Sequence, residues 1–313
     1  MKYNQIAPLA QALTRSISRV IVGKEKETEL ILAAMLAGGH VLLEDVPGTG
    51  KTTLAKSLAR SLSCSFARVQ FTPDLLPSDL TGINFYNMKT GDFEFREGPI
   101  FAQIILADEI NRATPRTQSS LLEAMEERQV TVDGTTYAMD EPFMVMATQN
   151  PLESYGTFPL PDAQIDRFFM RLRLGYMTRE QEKSVLSRRP STDIIRELEC
   201  VVTPEETAQL KKMREEVVVS SDVEDYIMDI ITETRNDSSF TSGVSTRGGI
   251  ALYHAAQALA ALSGRSYVIP EDVRDLAPSV LGHRVVSGNM SWKDGEKHIQ
   301  QLLDKVKVPL EAL

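Results

Sequence analysis

Residues 41–52, with the sequence VLLEDVPGTGKT, have the residue types and spacing of a phosphate-binding loop. The apolar run Val41–Leu43 predicts a buried parallel strand, and a helical pattern follows over residues 54–62. In such a loop the backbone N–H groups and the helix N-terminus face phosphate oxygens, Lys51 adds a positive charge, and the Thr52 hydroxyl is a ligand for Mg²⁺. We therefore predict a nucleotide site formed by Pro47, Gly48, Thr49, Gly50, Lys51, Thr52 and Thr53.

The loop departs from the strict pattern G-x-x-x-x-G-K-[ST] at its first position, where this chain has Asp45. A literal search for that pattern would miss the loop. An ordinary turn between a strand and a helix is the alternative interpretation, but such a turn does not need the sequence Gly-x-Gly-Lys-Thr. The predicted strand and helix on either side therefore favour the nucleotide site.

The composition is ordinary for a soluble protein with two domains: 313 residues, 42% hydrophobic and 25% charged. The net charge of -9 gives no general attraction to nucleic acid. Cys64 and Cys200 lack metal-type spacing, and we expect them to be buried thiols in a reducing compartment. The N-terminus lacks the apolar core of a signal peptide, and the apolar run Leu30–Leu43 is too short to cross a bilayer, so we expect a cytoplasmic location.

Strands alternate with helices over the first 175 residues, which predicts a parallel, doubly wound α/β sheet. Amphipathic helices are predicted at residues 3–20 and 24–37, and a further helix around Leu121, Leu122 and Met125. Strands after the first are predicted at residues 66–71, 103–108, 143–148 and 168–174. Two hairpins interrupt this order, one at residues 82–96 with its tip at Lys89–Asp92 and one at residues 130–135 with its tip at Asp133-Gly134.

From about Gly175 the strand patterns end and the periodicity becomes helical. Helices are predicted at residues 178–186, 205–214 and around 223–231, from Ser245 or Thr246 to Ala261, and from Pro270 onward. We therefore divide the chain into an α/β domain, residues 1–175, and a helical lid with a C-terminal tail, residues 176–313. The tail after Arg284, with a helix over Glu296–Val306, is expected to pack back or to reach a neighbouring subunit.

Asp108 and Glu109 follow directly from the predicted strand at residues 103–108. Beside a phosphate loop, the first carboxylate can hold Mg²⁺ directly or through water, and the second can orient and activate an attacking water. For the acids alone, a solvated pair at a strand end would be the better interpretation, but Lys51 and Thr52 on another strand favour the catalytic one. Gln70 ends the second strand and is a candidate relay to Glu109.

Asn150 ends the fourth predicted strand, at the same edge of the sheet. Its amide can hold the attacking water or the γ-phosphate. A simple Asn-Pro turn explains the residue equally well from the sequence alone.

Five segments together resemble the AAA+ ATPases, and specifically the MoxR family: LLEDVPGTGKTTLA, QFTPDLLPSDLTG, ILADEINRATPRTQSSLLEAMEERQVTVDG, MATQNP and LPDAQIDRF. They cover most of residues 20–170, and Ser245-Thr246-Arg247 at a helix start extend the likeness to about residue 285. The resemblance implies an AAA+ α/β P-loop domain followed by a small helical lid. It also implies a ring, usually a hexamer, that uses ATP and Mg²⁺ to act as a chaperone-like remodeller, often with a partner that carries a von Willebrand factor A domain.

The resemblance also implies roles for individual residues. Lys51 and Thr52 match Walker A, while Asp108 and Glu109 match Walker B. The remaining matches are Asn150 for sensor 1, Arg167 for the arginine finger, Arg247 for sensor 2, and Val22 and Gly23 for the segment beside the adenine. Family members more often have proline before the sensor 2 arginine, where this chain has Thr246, and both predicted hairpins match insertions of the family's clade.

Without the resemblance, the residues around these arginines also allow other interpretations. Arg167 is as well explained by an ion pair with Asp166 or another acid. Arg112 and Arg116 lie near the predicted metal-binding acids and compete for the role of an arginine that reaches a neighbouring subunit. Arg247 at the start of a helix is unfavourable against the helix dipole, which suggests that its charge serves another purpose.

Several functions stay open beside an ATP-driven remodeller of a protein client. A nucleotide-gated binding module is less expected, because such a switch has no need of both Glu109 and Asn150. A DNA-remodelling motor is also less expected, since the first hairpin carries Lys89 and Arg96 but three acids as well. A chelatase-type motor subunit shares the architecture and is not excluded.

Overall fold

The computed structural model describes residues 5–151, 156–286 and 292–309. The strands within these ranges are β1 (Val41–Glu44), β2 (Phe66–Gln70), β3 (Gly82–Asn87), β4 (Asp92–Glu97), β5 (Ile104–Asp108), β6 (Gln129–Val132), β7 (Thr135–Ala138), β8 (Met144–Gln149) and β9 (Met170–Leu172). The helices are α1 (Ile6–Ser18), α2 (Glu25–Leu36), α3 (Lys51–Ser61), α4 (Pro77–Thr81), α5 (Pro115–Glu127), α6 (Asp162–Ile165), α7 (Arg179–Leu186), α8 (Ser191–Arg196), α9 (Pro204–Arg214), α10 (Ser221–Asn236), α11 (Thr246–Leu262), α12 (Pro270–Leu281) and α13 (Trp292–Leu303). Of these described helices, none has both the length and the apolar character to cross a bilayer.

Five strands form the central parallel sheet, in the order β2-β5-β8-β1-β9. The interior strands β1, β5 and β8 are buried except at the carboxyl ends of β5 and β8, which is why their sequences are apolar runs rather than alternating patterns. The register pairs Glu44 with Gln149 and Gln70 with Asp108, so four strands end at one edge of the sheet. The predicted parallel α/β fold is confirmed.

Several element boundaries differ from the predicted ones. The helix α3 begins at Lys51, before the predicted start at Leu54, because the glycine turn leads directly into it. The strand β9 covers only the middle of the predicted strand at residues 168–174. The helices α4 and α8 were not predicted, since they are too short to show a helical period. Residues 3 and 4 of the predicted first helix, and residues 287–291 and 310–313 of the predicted tail, lie outside the described residues.

Two hydrophobic clusters cover the two faces of the sheet, because successive strand residues point to opposite sides. Leu43 and Leu106 belong to the larger cluster, whereas Leu42 and Ile105 belong to the smaller one. The larger cluster joins α1, α2 and α3 to the helices α9–α13, with α11 packed on α2 and α12 on β9. This core contains residues from both sides of Gly175, and the division into two domains there stays a prediction.

Both predicted hairpins are present, as β3–β4 and β6–β7, and they contact each other. The Asn84 amide donates to the Asp133 carboxylate at 2.8 Å, and the Phe95 ring stacks on Tyr137 at 4.2 Å between centroids. Beyond these contacts the tip of the first hairpin is exposed, with Met88 at 88% and Phe93 at 74% of full exposure. The first hairpin is therefore anchored at its base and presents apolar side chains at its tip.

The cysteines differ in burial. Cys64 is half-buried and burial raises the pKa of its thiol to about 12, whereas Cys200 is exposed on the connection between α8 and α9. The expectation of two buried thiols is thus wrong for Cys200. Both thiols are free, and the cytoplasmic location stays a prediction.

A buried histidine, His40, joins β1 to its neighbours at the end of the sheet opposite the phosphate loop. The backbone N–H of Val145 donates to Nδ1 at 2.9 Å, so the proton of the neutral ring is on Nε2, which lies 3.0 Å from the Met125 carbonyl oxygen. Burial and the nearby Arg128 guanidinium lower the pKa of His40 to about 3. The ring is therefore neutral in the folded protein over the whole range in which a free histidine titrates.

We predict that His40 makes the protein less stable in mild acid. Since the unfolded chain binds this proton below the ordinary pKa near 6.5 and the folded protein binds it only near pH 3, the stability is fully present above 6.5 and decreases as the pH falls. From pH 7.5 to 5 this amounts to about 2 kcal/mol in the free energy of unfolding. Urea titrations at both pH values measure it, and His40→Asn should lose about 2 kcal/mol less than the wild type over the same interval.

The control for this prediction is Ile105→Val in the same core. It is expected to cost about 0.5–1.5 kcal/mol at either pH and to keep the full pH dependence. If His40→Asn and the wild type show the same pH dependence, the neutral buried ring does not cause it.

Candidate active site

A cavity of about 400 Å³ lies at the edge of the sheet where β1, β2, β5 and β8 end, beside the start of α3. The parallel register brings these elements together although they are far apart in sequence. The predicted site residues that line the cavity are Pro47, Gly48, Gly50, Lys51, Thr52, Thr53, Asp108, Glu109 and Asn150. The predicted site residues that do not line it are Val22, Gly23, Thr49, Arg167 and Arg247.

The phosphate loop takes a backbone conformation that depends on its glycines. Gly48 and Gly50 have φ values of 88° and 92°, in the left-handed region that a Cβ disfavours. The Lys51 ammonium donates to the carbonyl oxygens of Asp45 and Val46, at 2.9 Å each. Burial lowers the pKa of Lys51, against the opposing effect of the nearby carboxylates. The loop thus holds a cation beside the first turn of α3, where an anion is favoured.

Asp45, the residue that departs from the strict loop pattern, has a structural role. Its carboxylate accepts the backbone N–H of Val46 at 2.9 Å and that of Gly175 at 2.7 Å, and the residue is buried. It therefore connects the start of the phosphate loop to the chain that leaves β9. A glycine at this position would leave both N–H groups without this acceptor.

Both carboxylate oxygens of Asp108 have partners. Oδ1 accepts the Thr148 hydroxyl at 2.6 Å, and Oδ2 accepts Nη2 and Nε of Arg68 at 2.7 and 3.1 Å. Arg68 and Thr148 also line the cavity, and neither was predicted. The only signal in the sequence was strand alternation, since Arg68 and Gln70 are two residues apart on β2 and so lie on the same side.

Glu109 is held by side chains from two directions. Its Oε2 accepts the Gln70 amide at 2.8 Å and Arg112 Nη1 at 3.0 Å. Its backbone N–H donates to the Thr148 hydroxyl at 2.8 Å, so Thr148 contacts both acids. The Gln70 contact agrees with its predicted place as a relay to Glu109, and Arg112 pairs with Glu109 of its own subunit.

Oxygen donors in the cavity fit Mg²⁺. The Thr52 hydroxyl and the Asp108 carboxylate line the same space as Lys51, and hydroxyl and carboxylate oxygens are hard donors that this cation prefers. Mg²⁺ usually takes one or two protein carboxylates and keeps several waters. Within the described ranges no group of three or more acidic, histidine or cysteine side chains forms a complete metal cage, which this mode of binding does not require.

Arg167 and Arg247 lie outside the cavity and share one acid, Glu126 of α5. Arg167 Nε lies 2.9 Å from Glu126 Oε2, and Arg247 Nη2 contacts the other carboxylate oxygen. The alternative of an ion pair for Arg167 is therefore present, although with Glu126 rather than with Asp166. Arg116, the remaining candidate, is exposed near the start of α5.

The backbone on either side of Arg167 is fixed by a buried cation, Arg284, which follows α12. Its guanidinium donates to Asp166 Oδ1 at 2.8 Å and to the carbonyl oxygens of Phe168 and Phe169 at 2.7 and 3.1 Å. Burial lowers the pKa of Arg284 to about 10, so it remains charged near neutral pH. No pattern in the sequence indicated this contact, which joins residues far apart in the chain.

Residues 21–23, the segment that contains Val22 and Gly23, lie between the phosphate loop and α7. A Cβ added at Gly23 would lie 1.9 Å from the Gln181 amide nitrogen, and one added at Gly50 would lie 3.6 Å from the Ile21 side chain. The segment that we expected beside an adenine is thus next to the loop, although it does not line the cavity.

Comparisons with known proteins agree with this arrangement. The family model for ATPases associated with various cellular activities (AAA) matches residues 40–170, and the model for the AAA lid domain matches residues 232–306. The chain is 49% identical to the uncharacterized protein YeaC of Bacillus subtilis, over 99% of this chain and 98% of YeaC. It is 40% identical to Chaperone MoxR1 of Mycobacterium tuberculosis, over 86% of this chain and 74% of MoxR1.

Two further relatives extend the comparison. Protein MoxR of Paracoccus denitrificans is 31% identical over 86% of each chain. A crystal structure of a candidate ATPase from Cytophaga hutchinsonii matches with a TM-score of 0.91 and 37% identity, over 98% of this chain and 97% of that one. These similarities extend over the sheet and the C-terminal helices alike.

We predict that Asp45→Gly, which restores the strict loop pattern, weakens the site. The change removes a carboxylate that accepts two backbone N–H groups, and such hydrogen bonds to a charged group contribute about 1.5–3 kcal/mol each. Thermal unfolding should show a loss of stability, and nucleotide titration a loss of affinity. Asp45→Asn keeps one acceptor oxygen, so its stability and nucleotide affinity should lie between those of the wild type and Asp45→Gly. An Asp45→Gly variant as stable as the wild type would contradict the assigned role.

Proposed function

The chain belongs to the MoxR family of AAA+ ATPases, and we propose that it uses ATP hydrolysis to remodel, assemble or activate a partner protein. The observation that carries the proposal is the single cavity in which Lys51, Thr52, Asp108, Glu109 and Asn150 meet. These groups supply a phosphate-binding cation, cation ligands, a base and an amide, which is the set that hydrolysis of a phosphate anhydride requires.

In the proposed mechanism the loop N–H groups and Lys51 bind the β- and γ-phosphates of ATP. Thr52 and Asp108 would hold Mg²⁺, which neutralises phosphate charge when it is bound. Glu109 orients the attacking water and accepts its proton, and Asn150 holds that water or the γ-phosphate in line. A role as a nucleotide-gated module without turnover is disfavoured, because Glu109 and Asn150 line the same cavity as the phosphate loop.

The exposed tip of the hairpin β3–β4 is evidence for a protein client. Met88 and Phe93 are exposed at its tip, and the ring of Phe93 packs edge-on against Tyr86 at 5.4 Å between centroids. An exposed apolar tip on an anchored hairpin fits an apolar protein segment better than it fits a phosphate backbone. The relative named Chaperone MoxR1 agrees with this role. We propose a protein with a von Willebrand factor A domain as the partner, on the family resemblance alone.

We propose a ring, most simply a hexamer, because the arginine at the family's finger position lies outside the cavity of its own subunit. Phosphoryl transfer is commonly assisted by an arginine beside the transferring group. Arg167 and Arg247 both lie outside the cavity of their own subunit, on Glu126. We propose that Arg167 acts on the ATP of a neighbouring subunit and that Arg247 reports nucleotide to the lid.

The first test separates binding from turnover. Glu109→Gln should bind ATP as the wild type does and hydrolyse it about 10²–10⁴-fold more slowly, because the base is lost. Lys51→Ala should lose about ten- to a hundredfold in ATP affinity, because a charged phosphate contact is lost. Titration and phosphate release measure both, with Glu123→Gln on the exposed side of α5 as the control. Turnover of Glu109→Gln at the wild-type rate would refute the assignment.

The second test concerns the ring. Arg167→Ala should bind ATP, assemble, and hydrolyse about 10³–10⁵-fold more slowly, because an arginine finger contributes that much in related reactions. Mixing it with Lys51→Ala should restore activity, since the second variant supplies an intact arginine to the intact phosphate loop of the first. Glu126→Ala, which removes the same ion pair but keeps the arginine, should retain hydrolysis. An absence of rescue in mixed rings that are shown to form would exclude a finger acting between subunits.

A further inference from the structure

Arg68 pairs with Asp108, the acid to which the proposed function assigns Mg²⁺. The Arg68 side chain is 47% exposed and that of Asp108 is 14% exposed, so the arginine reaches from the rim of the cavity to a largely buried carboxylate. Two of its N–H groups converge on one oxygen, Asp108 Oδ2. The Gln70 amide oxygen accepts Arg68 Nη2 at 3.2 Å and gives the guanidinium a second contact inside the cavity.

Both oxygens of Asp108 already have partners, and Oδ2 accepts two N–H groups of Arg68. Oδ1 accepts the Thr148 hydroxyl, which also fixes the backbone of Glu109. Oδ2 is the remaining oxygen, and a guanidinium and a divalent cation on the same oxygen repel each other strongly at such distances. Arg68 and Mg²⁺ therefore compete for this carboxylate.

We propose that Arg68 has two alternating partners: Asp108 in the nucleotide-free protein, and the terminal phosphate of ATP once Asp108 holds the divalent cation. The proposal rests on the ATPase site described above and adds a residue to it. In the nucleotide-free state the contact keeps Asp108 unavailable to free Mg²⁺. After hydrolysis the terminal phosphate is gone, so Arg68 returns to Asp108 and competes for it again.

The chemistry of Arg68 favours the terminal phosphate as its second partner. A guanidinium that leaves a carboxylate inside a polar cavity needs another anion, and phosphate oxygens match its planar pair of donors. Arg68 lines the same cavity as the phosphate-binding residues Lys51 and Thr52. The contact with Gln70 keeps the arginine at this cavity while it exchanges partners.

The first arm of the test uses Mn²⁺ alone, without nucleotide, and measures its binding by electron paramagnetic resonance. The wild type should bind Mn²⁺ weakly, and Arg68→Gln should bind it about tenfold more tightly, which corresponds to about 1.4 kcal/mol. The gain should disappear in Arg68→Gln combined with Asp108→Asn. A gain that persists in this double variant overturns the proposal.

The matched control for this arm is Arg112→Gln. It removes an equal charge from a side chain of similar exposure, 45%, which pairs with the neighbouring acid Glu109 at 3.0 Å. The proposal expects no comparable gain in Mn²⁺ affinity from it. If Arg112→Gln tightens Mn²⁺ binding as much as Arg68→Gln does, general electrostatics explains the effect and the proposal is overturned. An unchanged Mn²⁺ affinity in Arg68→Gln overturns it as well.

The second arm compares ATP with ADP in the presence of Mg²⁺, in the Glu109→Gln background so that ATP is not consumed. Adding Arg68→Gln should lower the preference for ATP over ADP about tenfold, because only ATP has the γ-phosphate that Arg68 is proposed to bind. An unchanged preference overturns the role of Arg68 while the ATPase site stands. A failure of the protein with native Arg68 to bind ATP refutes the proposed function itself, so the two failures are distinguishable.

Discussion

The parallel register of the sheet is the constraint on which the site depends. It places Gln70 beside Asp108 and Glu44 beside Gln149, so β1, β2, β5 and β8 end at one edge. Three of these strands deliver the phosphate loop after β1, the two acids at the end of β5, and the amide after β8, and β2 adds Arg68 and Gln70. A shift of one residue in any pairing would turn these side chains to the other face of the sheet. The buried apolar faces of the interior strands hold the register, and therefore the chemistry.

The charged groups of the site have partners within the protein. Lys51 binds two backbone carbonyl oxygens, Arg68 binds Asp108, and Arg112 binds Glu109. In the two ion pairs the arginines are half-exposed, so each pair contributes only about 0–1 kcal/mol to the stability of the fold. These partners spare the charged groups the free-energy cost of being unpaired in the cavity. Because the contacts are weak, the cationic groups can exchange them for a more highly charged triphosphate. These contacts therefore fix the geometry of the site and can be exchanged for contacts with the substrate.

Prediction from the sequence succeeded where the information is local and failed where it depends on tertiary packing. The phosphate loop, the acid pair and the strand runs were recognisable because glycine turns and apolar periodicity are properties of neighbouring residues. Arg68, Thr148 and Arg284 were missed, since their partners lie 40 to 118 residues away in the sequence. The exposure of Cys200 was missed for a related reason, because the short helix α8 before it leaves no periodic signal.

The segment that carries Arg167 combines a rigid backbone with a side chain that is easily released. Arg284 is buried and binds four acceptors between residues 166 and 169, and removing such a buried charge from its partners costs several kcal/mol. Arg167 itself pairs with Glu126, where both side chains are about one-third exposed, so the pair contributes about 0–1 kcal/mol. In the proposed ring the arginine therefore exchanges Glu126 for a neighbour's phosphate at little cost, while its backbone stays in place. Arg247 of the lid shares Glu126, so release of Arg167 leaves this acid to Arg247 alone. In the proposed ring this exchange would connect the lid to the interface between subunits.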